Sequence, residues 1–296
     1  MNQPRKSVAF HIGAHKTATT HLQRSFMLQR AALNKAGVRY YGPDSLRAPM
    51  CGIADLFGVD VGQAEITPKR TGPEQREFML KDGHRLVLSE ENYIGVLHDR
   101  EGRILTPLYP RAQERVAALA DAVDAGPIDV LIGVRNPATF LISSYGQALM
   151  GGLRITFDEY LAMNPLGSIN WAGLVARISA IPMVGRIVVW QFEEYRWRFH
   201  KICGAMMGDD VQMRIKPIPE AVHRGLSAAA VKSALAQEKT DDFSAIVEAA
   251  RDRFPISDAQ LKFAPFSPED LERAERDYHA QLAAIGAIEG VTILRS

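Results

Sequence analysis

The chain has few cysteines and almost no net charge. Cys51 and Cys203 are its two cysteines among 296 residues, and they form neither a metal-binding spacing nor a disulfide framework, which favours a reducing compartment. Lysine and arginine number 35 against 34 aspartates and glutamates, so the formal net charge is +1. This balance excludes a global basic field, and we therefore expect neither nucleic acid nor an anionic membrane surface as a partner.

Long hydrophobic runs, repeats and low-complexity tracts are also missing. No stretch approaches the length of a membrane span, and the apolar run after Arg5 and Lys6 is too short for a signal peptide. We therefore expect a cytoplasmic protein with no stable membrane insertion. Because 47% of the residues are hydrophobic and no linker is visible, we predict a single domain over residues 1–296, while the composition leaves the oligomeric state open.

What the chain does have is a regular alternation of apolar runs and helical patterns. Strands are predicted at the run before Gly13 and at residues 38–41, 85–89, 128–134 and 186–192. Helices are predicted at residues 19–35, 109–125, 138–150, 171–181, 193–207, 227–238, 242–253 and 267–285, with a further short helix after Thr156. This alternation predicts an α/β fold with a central, mainly parallel sheet flanked by helices and a helical C-terminal third.

The segment between residues 8 and 22, VAFHIGAHKTATTHL, is the most informative one in the sequence. An apolar strand ends at Gly13, and Lys16 and three threonines follow at the start of a helix. Such a turn gathers backbone N–H groups, a helix N-terminus and an ammonium around one point, where a phosphate would bind. The alternative interpretation is an ordinary strand-to-helix turn with threonine N-caps.

A second motif follows the apolar run at residues 128–134. The run ends in Arg135-Asn136-Pro137, and Pro137 suits the first turn of the next helix because its missing N–H costs nothing there. Ser143 lies eight residues after Arg135, about two helical turns further on, and Tyr145 follows it. On its own, an Arg-Asn-Pro sequence after a strand is common in loops with a purely structural role.

Together the two motifs resemble those of sulfotransferases that use 3′-phosphoadenosine 5′-phosphosulfate (PAPS). The first is similar to the 5′-phosphosulfate loop of their carbohydrate-modifying and bacterial branch, a Lys-Thr-Gly-Thr-Thr type of loop in which this chain has Ala18 at the glycine. An alanine is accommodated there without strain only if its φ stays below zero. The resemblance implies a three-layer, P-loop-like α/β fold and PAPS as the co-substrate.

The resemblance also implies which residues contact the donor. The 5′-phosphosulfate end corresponds to the loop residues His15, Lys16, Thr17, Ala18, Thr19 and Thr20. The 3′-phosphate is expected at Arg135, whose guanidinium suits forked contacts, and at the Ser143 hydroxyl. Arg224, in the Arg224-Gly225 pair, is similar to the arginine of a late Arg-Lys-Gly segment that helps to bind the same phosphate in cytosolic sulfotransferases.

Sulfuryl transfer needs a group that stabilises the leaving phosphate and a base for the acceptor hydroxyl. As in phosphoryl transfer, positioning and electrostatics dominate, and we predict that Lys16 neutralises the charge that grows on the bridging oxygen. A sulfuryl group carries less negative charge than a phosphoryl group, so no metal is expected. The strand at residues 85–89 runs into Glu90 and Glu91, at the edge where ligands of open α/β sheets bind. Either carboxylate could accept the proton of the acceptor: the resemblance favours Glu90 over Glu91, and His15 is the next candidate.

The sequence does not identify the acceptor, which we expect to be a small molecule or a carbohydrate. Residues 42–72 lack periodicity and are predicted to form a loop that belongs to an acceptor-binding lid. A nucleotide-dependent kinase, with residues 86–90 as a Walker B strand, and a nucleotide-binding module without turnover stay open. The signature G-x-x-x-x-G-K-[ST] does not fit, because His15 occupies the second glycine position and Gly13 lies three residues before Lys16.

Overall fold

A computed structural model of the chain describes residues 6–59, 67–209, 211, 213–219, 225–237, 242–258 and 260–295. Arg224, one of the predicted 3′-phosphate ligands, lies outside these described residues. The strands are β1 Ser7–Gly13, β2 Val38–Tyr41, β3 Arg85–Ser89, β4 Ile128–Val134, β5 Val184–Gln191 and β6 Val291–Ile293. The helices are α1 Thr19–Leu28, α2 Arg30–Lys35, α3 Pro43–Leu46, α4 Ile53–Phe57, α5 Gly72–Leu80, α6 Ala112–Val123, α7 Pro137–Met150, α8 Phe157–Met163, α9 Trp171–Ser179, α10 Tyr195–Met207, α11 Ala228–Leu235, α12 Phe243–Arg253 and α13 Pro268–Gly286.

The strands form one parallel sheet in the order β2-β3-β1-β4-β5-β6. β1 therefore lies between β3 and β4, and the carboxyl ends of these three strands meet at one edge. The direction of winding reverses at β1, and such a switch point opens a crevice at the carboxyl edge of a sheet. The predicted α/β fold with a parallel central sheet is confirmed, and the loop after β1 lies at this crevice.

Hydrophobic residues cover the sheet on both faces. Val8, Phe10 and Ile12 of β1 belong to one core with α6, α7, α9 and α13, whereas Ala9 belongs to a second core with α1 and α10. The separation follows from the alternation of side chains along a strand. Helices on both faces of the sheet make the three layers that the resemblance implies, and β1 lies in the middle layer directly before the loop.

Four local features differ from the sequence-based prediction, and one of them is α5, Gly72–Leu80, where the sequence predicts no helix. The helix predicted at residues 19–35 is interrupted at Gln29, whose side-chain amide donates to the carbonyls of Ser25 and Lys216 at 3.0 and 2.8 Å. Gln29 thus ties the end of α1 to a distant segment, which local periodicity does not report. The loop predicted at residues 42–72 contains α3 and α4. The edge strand β6 is too short to show a period, and the sequence does not predict it.

Candidate functional site

The loop after β1 has a strained backbone. Gly13 has a φ of +102°, and a Cβ on this residue would lie 2.8 Å from the Cβ of Glu91, so only glycine fits. Lys16 and Ala18 have φ values of 64° and 65°, in the left-handed region that residues with side chains adopt at a cost. The condition for an unstrained alanine, a negative φ, is therefore not met at Ala18, which is the N-cap of α1 in a conformation that glycine adopts freely.

The loop threonines differ in what their hydroxyls contact. Thr17 is fully buried, and its Oγ1 donates to the Ala14 carbonyl at 2.6 Å. Its side chain lies against Gly133 of β4, where an added Cβ would be 2.7 Å from the hydroxyl oxygen. Thr17 therefore holds the turn together. Thr19 and Thr20 form the first turn of α1, where backbone N–H groups lack intrahelical acceptors.

Arg135 joins the end of β4 to this loop. Its Nη1 donates to the Lys16 carbonyl at 2.8 Å, and its Nε donates to Thr139 Oγ1 at 2.9 Å. The guanidinium carbon lies 4.1 Å from the centroid of the Phe192 ring. Burial is the largest cause that lowers the pKa of Arg135 to about 10, so the side chain stays cationic at neutral pH. The structure thus brings together the two segments on which the sequence prediction rests.

The Lys16 ammonium lies partly buried near the Arg135 guanidinium. Burial, and then the charge of Arg135, lower the pKa of Lys16 to about 8. Within the part of the chain that the structure describes, the ammonium has no hydrogen-bond or ion-pair partner. Like charges repel more strongly where burial reduces screening. An anion would relieve the repulsion between two such cations at the carboxyl edge of a parallel sheet.

Ser143 lies one turn beyond Thr139 on the same face of α7. The residue is half-buried, and none of the described residues hydrogen-bonds its hydroxyl. Its neighbour Tyr145 is fully buried and donates to the Ile155 carbonyl at 2.9 Å. The Ser143 hydroxyl is therefore available for a hydrogen bond on the face of α7 where Thr139 contacts Arg135, whereas Tyr145 belongs to the core.

The charge of Arg135 also acts on a third cation that the sequence does not predict, Lys262. Partial burial and the charge of Arg135 lower the pKa of Lys262. An antiparallel bridge pairs Lys262 with Ser227, and a Cβ on Gly225 would lie 3.5 Å from Lys262 Cε. The segment that directly follows the predicted ligand Arg224 is thus next to this third cation. No spacing rule links Lys262 to Arg135, because they are far apart in the sequence.

The predicted base Glu90 and its neighbour Glu91 are buried and share one arginine. Arg47 donates to Glu90 through Nε at 2.8 Å and Nη2 at 2.7 Å, and the same Nη2 donates to Glu91 at 2.9 Å. The Asn92 N–H adds a hydrogen bond of 3.0 Å to Glu90. Three of the four lone-pair positions of Glu90 are therefore occupied. Arg47 follows α3 in the segment without periodicity, so the sequence gives no signal for this contact.

Glu91 is held from α1 as well. Gln23 Nε2 donates to Glu91 Oε2 at 2.7 Å. Burial alone would raise the pKa of Glu91, but the hydrogen bonds from Gln23 and the backbone and the charge of Arg47 outweigh it and lower the pKa. Glu91 is therefore a carboxylate at neutral pH, and it supplies the counter-charge for Arg47 in the wall of the crevice.

His15, the second base candidate, has both ring nitrogens occupied. Nδ1 lies 2.9 Å from the Tyr109 hydroxyl, and Nε2 lies 2.9 Å from Asn92 Oδ1. Since an amide oxygen only accepts, Nε2 carries the proton and Nδ1 accepts from Tyr109. Burial is the largest cause that lowers the pKa of His15, so the ring is neutral. His11 is fully buried, with Nδ1 2.7 Å from Ser89 Oγ, and both histidines belong to the framework beneath the loop.

Neither a metal-binding cluster nor a membrane-spanning helix is found among the described residues. No group of three or more histidine, cysteine, aspartate or glutamate side chains in this part of the chain could hold a metal ion. None of the helices that the structure describes is both long and apolar enough to cross a bilayer.

Comparisons with known proteins find similarity at the level of structure. No protein-family model matches the sequence, and no curated protein matches it significantly. Among solved structures, the chain is similar to the crystal structure of a sulfotransferase from Alicyclobacillus acidocaldarius. The match covers 86% of this chain and 94% of that chain, at 17% sequence identity and a TM-score of 0.45.

Proposed function

We propose that this chain is a sulfotransferase that moves a sulfuryl group from PAPS to a hydroxyl or amine of a small-molecule or carbohydrate acceptor. The observation that carries the proposal is the pair of cations Lys16 and Arg135. The Arg135 guanidinium donates a hydrogen bond of 2.8 Å to the backbone carbonyl of Lys16, and no described residue forms an ion pair with either side chain. Such a pair is unfavourable alone and favourable with anions. PAPS offers two anionic groups on one ribose, a 5′-phosphosulfate and a 3′-phosphate.

Each residue has a defined role in this proposal. Lys16 contacts the oxygen that bridges phosphorus and sulfur, and it stabilises the negative charge that develops there. The backbone of the loop from His15 to Ala18 and the first N–H groups of α1, at Thr19 and Thr20, bind the 5′-phosphate. Arg135 and Ser143 bind the 3′-phosphate, and Lys262 and the predicted ligand Arg224 add positive charge at the same end.

The remaining predictions from the sequence become part of the proposal. Glu90 stays the predicted base, with one lone-pair position left for the acceptor proton. The chemistry requires no metal, because Lys16 and backbone N–H groups suffice for a sulfuryl group of low charge. We further propose that the chain acts as a single domain in the cytoplasm.

Calorimetric titration with 3′-phosphoadenosine 5′-phosphate (PAP), AMP and ATP tests the donor site. We expect PAP to bind more tightly than AMP, because PAP adds the 3′-phosphate, and we expect no requirement for Mg²⁺. At a hundredfold excess over its Kd, PAP should stabilise the fold by about 2.7 kcal/mol. Lys16→Ala should weaken PAP binding, and the matched control is Lys35→Ala, an exposed lysine in the last turn of α2.

Three outcomes contradict the proposal in different ways. Mg²⁺-dependent binding of ATP that is tighter than binding of PAP would identify a kinase. Tight binding of PAP without sulfuryl transfer from PAPS to any of a panel of sugars, phenols and amines would identify a nucleotide-binding module. Equal and weak binding of all three nucleotides would refute a nucleotide site altogether.

A further inference from the structure

Phe192 lies against Arg135 because the register of two strands continues past their ends. β4 and β5 pair in parallel, and the last residue pair of this ladder is Val134 with Gln191. The next residue on each segment is Arg135 and Phe192, respectively. The guanidinium carbon of Arg135 lies 4.1 Å from the centroid of the Phe192 ring. The contact is therefore a direct product of the sheet, on the side chain that the proposed donor site uses.

The backbone around Arg135 is held by hydrogen bonds as well. The Asn136 N–H donates to Glu193 Oε1 at 2.9 Å, so the residue after Phe192 contacts the residue after Arg135. On the other side, the indole N–H of the fully buried Trp171 donates to the Arg135 carbonyl at 2.7 Å. These bonds fix the backbone from which the Arg135 side chain projects, and they keep the guanidinium beside the Phe192 ring.

The guanidinium of Arg135 keeps most of its N–H groups for a ligand. An arginine has five N–H donors, and all of them lie in the plane of the guanidinium. One donor on Nε contacts Thr139, and one donor on Nη1 contacts the Lys16 carbonyl. None of the described residues accepts from the second Nη1 donor or from the two Nη2 donors. These N–H groups suit a forked contact with a phosphate, and a ring on the face of the plane does not obstruct them.

The Phe192 ring acts on the face of the guanidinium. A cation within about 6 Å of a ring centroid is attracted to the ring, and the attraction is stronger where water is excluded. Arg135 is buried, with an exposed fraction of 6%. A side chain that is immobilised only when the ligand binds loses rotamer freedom in that step, whereas one that is already held loses less. The ring therefore lowers the cost of binding a phosphate at Arg135.

We propose that Phe192 is a positioning residue that determines how strongly the site selects a nucleotide with a 3′-phosphate. The inference rests on the proposed function, in which Arg135 binds that phosphate. Phe192 has no polar group for the nucleotide. It holds the guanidinium plane so that the remaining donors on Nη1 and Nη2 are oriented before the nucleotide arrives.

Replacing Phe192 with leucine tests this role, because leucine keeps an apolar side chain and removes the ring face. Calorimetric titration of Phe192→Leu should show PAP binding weakened by about 2–10-fold and AMP binding weakened by less than about 2-fold. The matched control is Phe78→Leu in α5. Phe78 is exposed, and its ring centroid lies 3.9 Å from the guanidinium carbon of Arg70. This variant removes a similar pair and should leave both Kd values unchanged.

Two further measurements separate the positioning role from a general effect on the fold. 4-Fluorophenylalanine and 3,4,5-trifluorophenylalanine at position 192 keep the shape of the ring and weaken its attraction for a cation. The affinity for PAP should therefore fall as fluorine atoms are added, even if Phe192→Leu does not fold. In an Arg135→Ala background, Phe192→Leu should cause no further loss of PAP binding, because its effect acts through the guanidinium.

The outcomes distinguish this inference from the proposed function. A ratio of PAP to AMP affinity that stays at the wild-type value in Phe192→Leu would overturn the role of Phe192. So would a PAP affinity that does not change across the fluorinated series, or equal losses with and without Arg135. A wild type that binds PAP no more tightly than AMP would instead refute the proposed 3′-phosphate site, whatever the Phe192 variants do.

Discussion

Arg135 Nη1 donates a hydrogen bond of 2.8 Å to the backbone carbonyl of Lys16, so the strand end that carries the guanidinium also fixes the residue that carries the ammonium. The bond engages the backbone of Lys16 and leaves its side chain without a partner among the described residues. Folding therefore creates electrostatic repulsion between two side chains, and an anionic ligand relieves it.

Replacing Lys16 with methionine should abolish sulfuryl transfer and yet stabilise the ligand-free protein. The pKa of Lys16 in the folded state is about 8, below its ordinary value of 10.5, so the folded protein binds fewer protons between these values. The unfavourable contribution of Lys16 is therefore full below pH 8 and fades as the pH rises to 10.5. Calorimetric unfolding should show a gain of about 1–2 kcal/mol for Lys16→Met at pH 7 and a smaller gain at pH 10. A loss of stability at pH 7, relative to Lys35→Met, would contradict this prediction.

Removing the Arg135 guanidinium should weaken the binding of a nucleotide that carries a 3′-phosphate more than the binding of one that lacks it. Arg135→Ala should weaken PAP binding by about 2–5 kcal/mol and AMP binding far less, because AMP lacks the group that the guanidinium binds. Arg135 also donates hydrogen bonds to Lys16 and Thr139, so the thermal stability of the variant should be measured beside the titrations. Ser143→Ala is the cleaner companion, since the hydroxyl has no described partner, and it should weaken PAP by about 1.5–3 kcal/mol. Equal losses of affinity for PAP and AMP in these variants would show that neither residue binds the 3′-phosphate.

Ala18→Gly should stabilise the fold, which is the reverse of the usual effect of glycine in a helical region. Ala18 has a φ of 65°, and glycine relieves the strain of that conformation. The gain should be about 0.5–1 kcal/mol after the greater freedom of glycine in the unfolded chain is subtracted. Ala118→Gly inside α6 is the control and should cost about 0.5–1 kcal/mol. Urea denaturation of both variants measures the difference, and the same loss in both would mean that position 18 is unstrained.

Arg47→Met should destabilise the protein in a way that depends on pH. The substitution leaves two buried carboxyls without their shared cation, at a cost of about 2–3 kcal/mol at pH 7 once the partial exposure of Arg47 is allowed for. Native interactions lower the pKa of Glu91, so its stabilising contribution is present above 4.5 and is lost as the pH falls through the folded-state pKa. The difference in unfolding free energy between the variant and the wild type should therefore become smaller at acid pH. Arg30→Met removes a more exposed pair with Asp44 and should cost less than about 1 kcal/mol.

The sequence predicts the parts of this molecule that depend on local pattern. β2, β3 and β4 lie where the apolar runs place them, because a strand buried on both faces needs a continuous apolar run. The approach of the first loop to Arg135 follows from the same pattern, since both segments end parallel strands at one edge. Tertiary hydrogen bonds determine features of the fold that the local pattern does not predict. Gln29 interrupts a helix through contacts with Lys216, which no local period can encode.

The candidate site divides in the same way. Lys16 and Arg135 stand directly behind strands, and the sequence finds them. Arg47 and Lys262 come from segments without periodicity, and their positions depend on contacts made far along the chain. The backbone of Ala18 is a different case. The sequence shows an alanine where the resemblance has a glycine, but it does not show that the turn requires a positive φ at this position. Tertiary structure imposes that conformation on the residue.

The central place of β1 in the sheet has a consequence for the synthesis of the chain. Its neighbours are β3 at residues 85–89 and β4 at residues 128–134, so an emerging chain exposes both edges of β1 until these segments follow. Unpaired apolar strand edges are templates for pairing with other chains, and non-local parallel pairing forms slowly. Fragments that end before β4 should therefore aggregate, and the nascent N-terminal segment needs protection until residue 134 has left the ribosome.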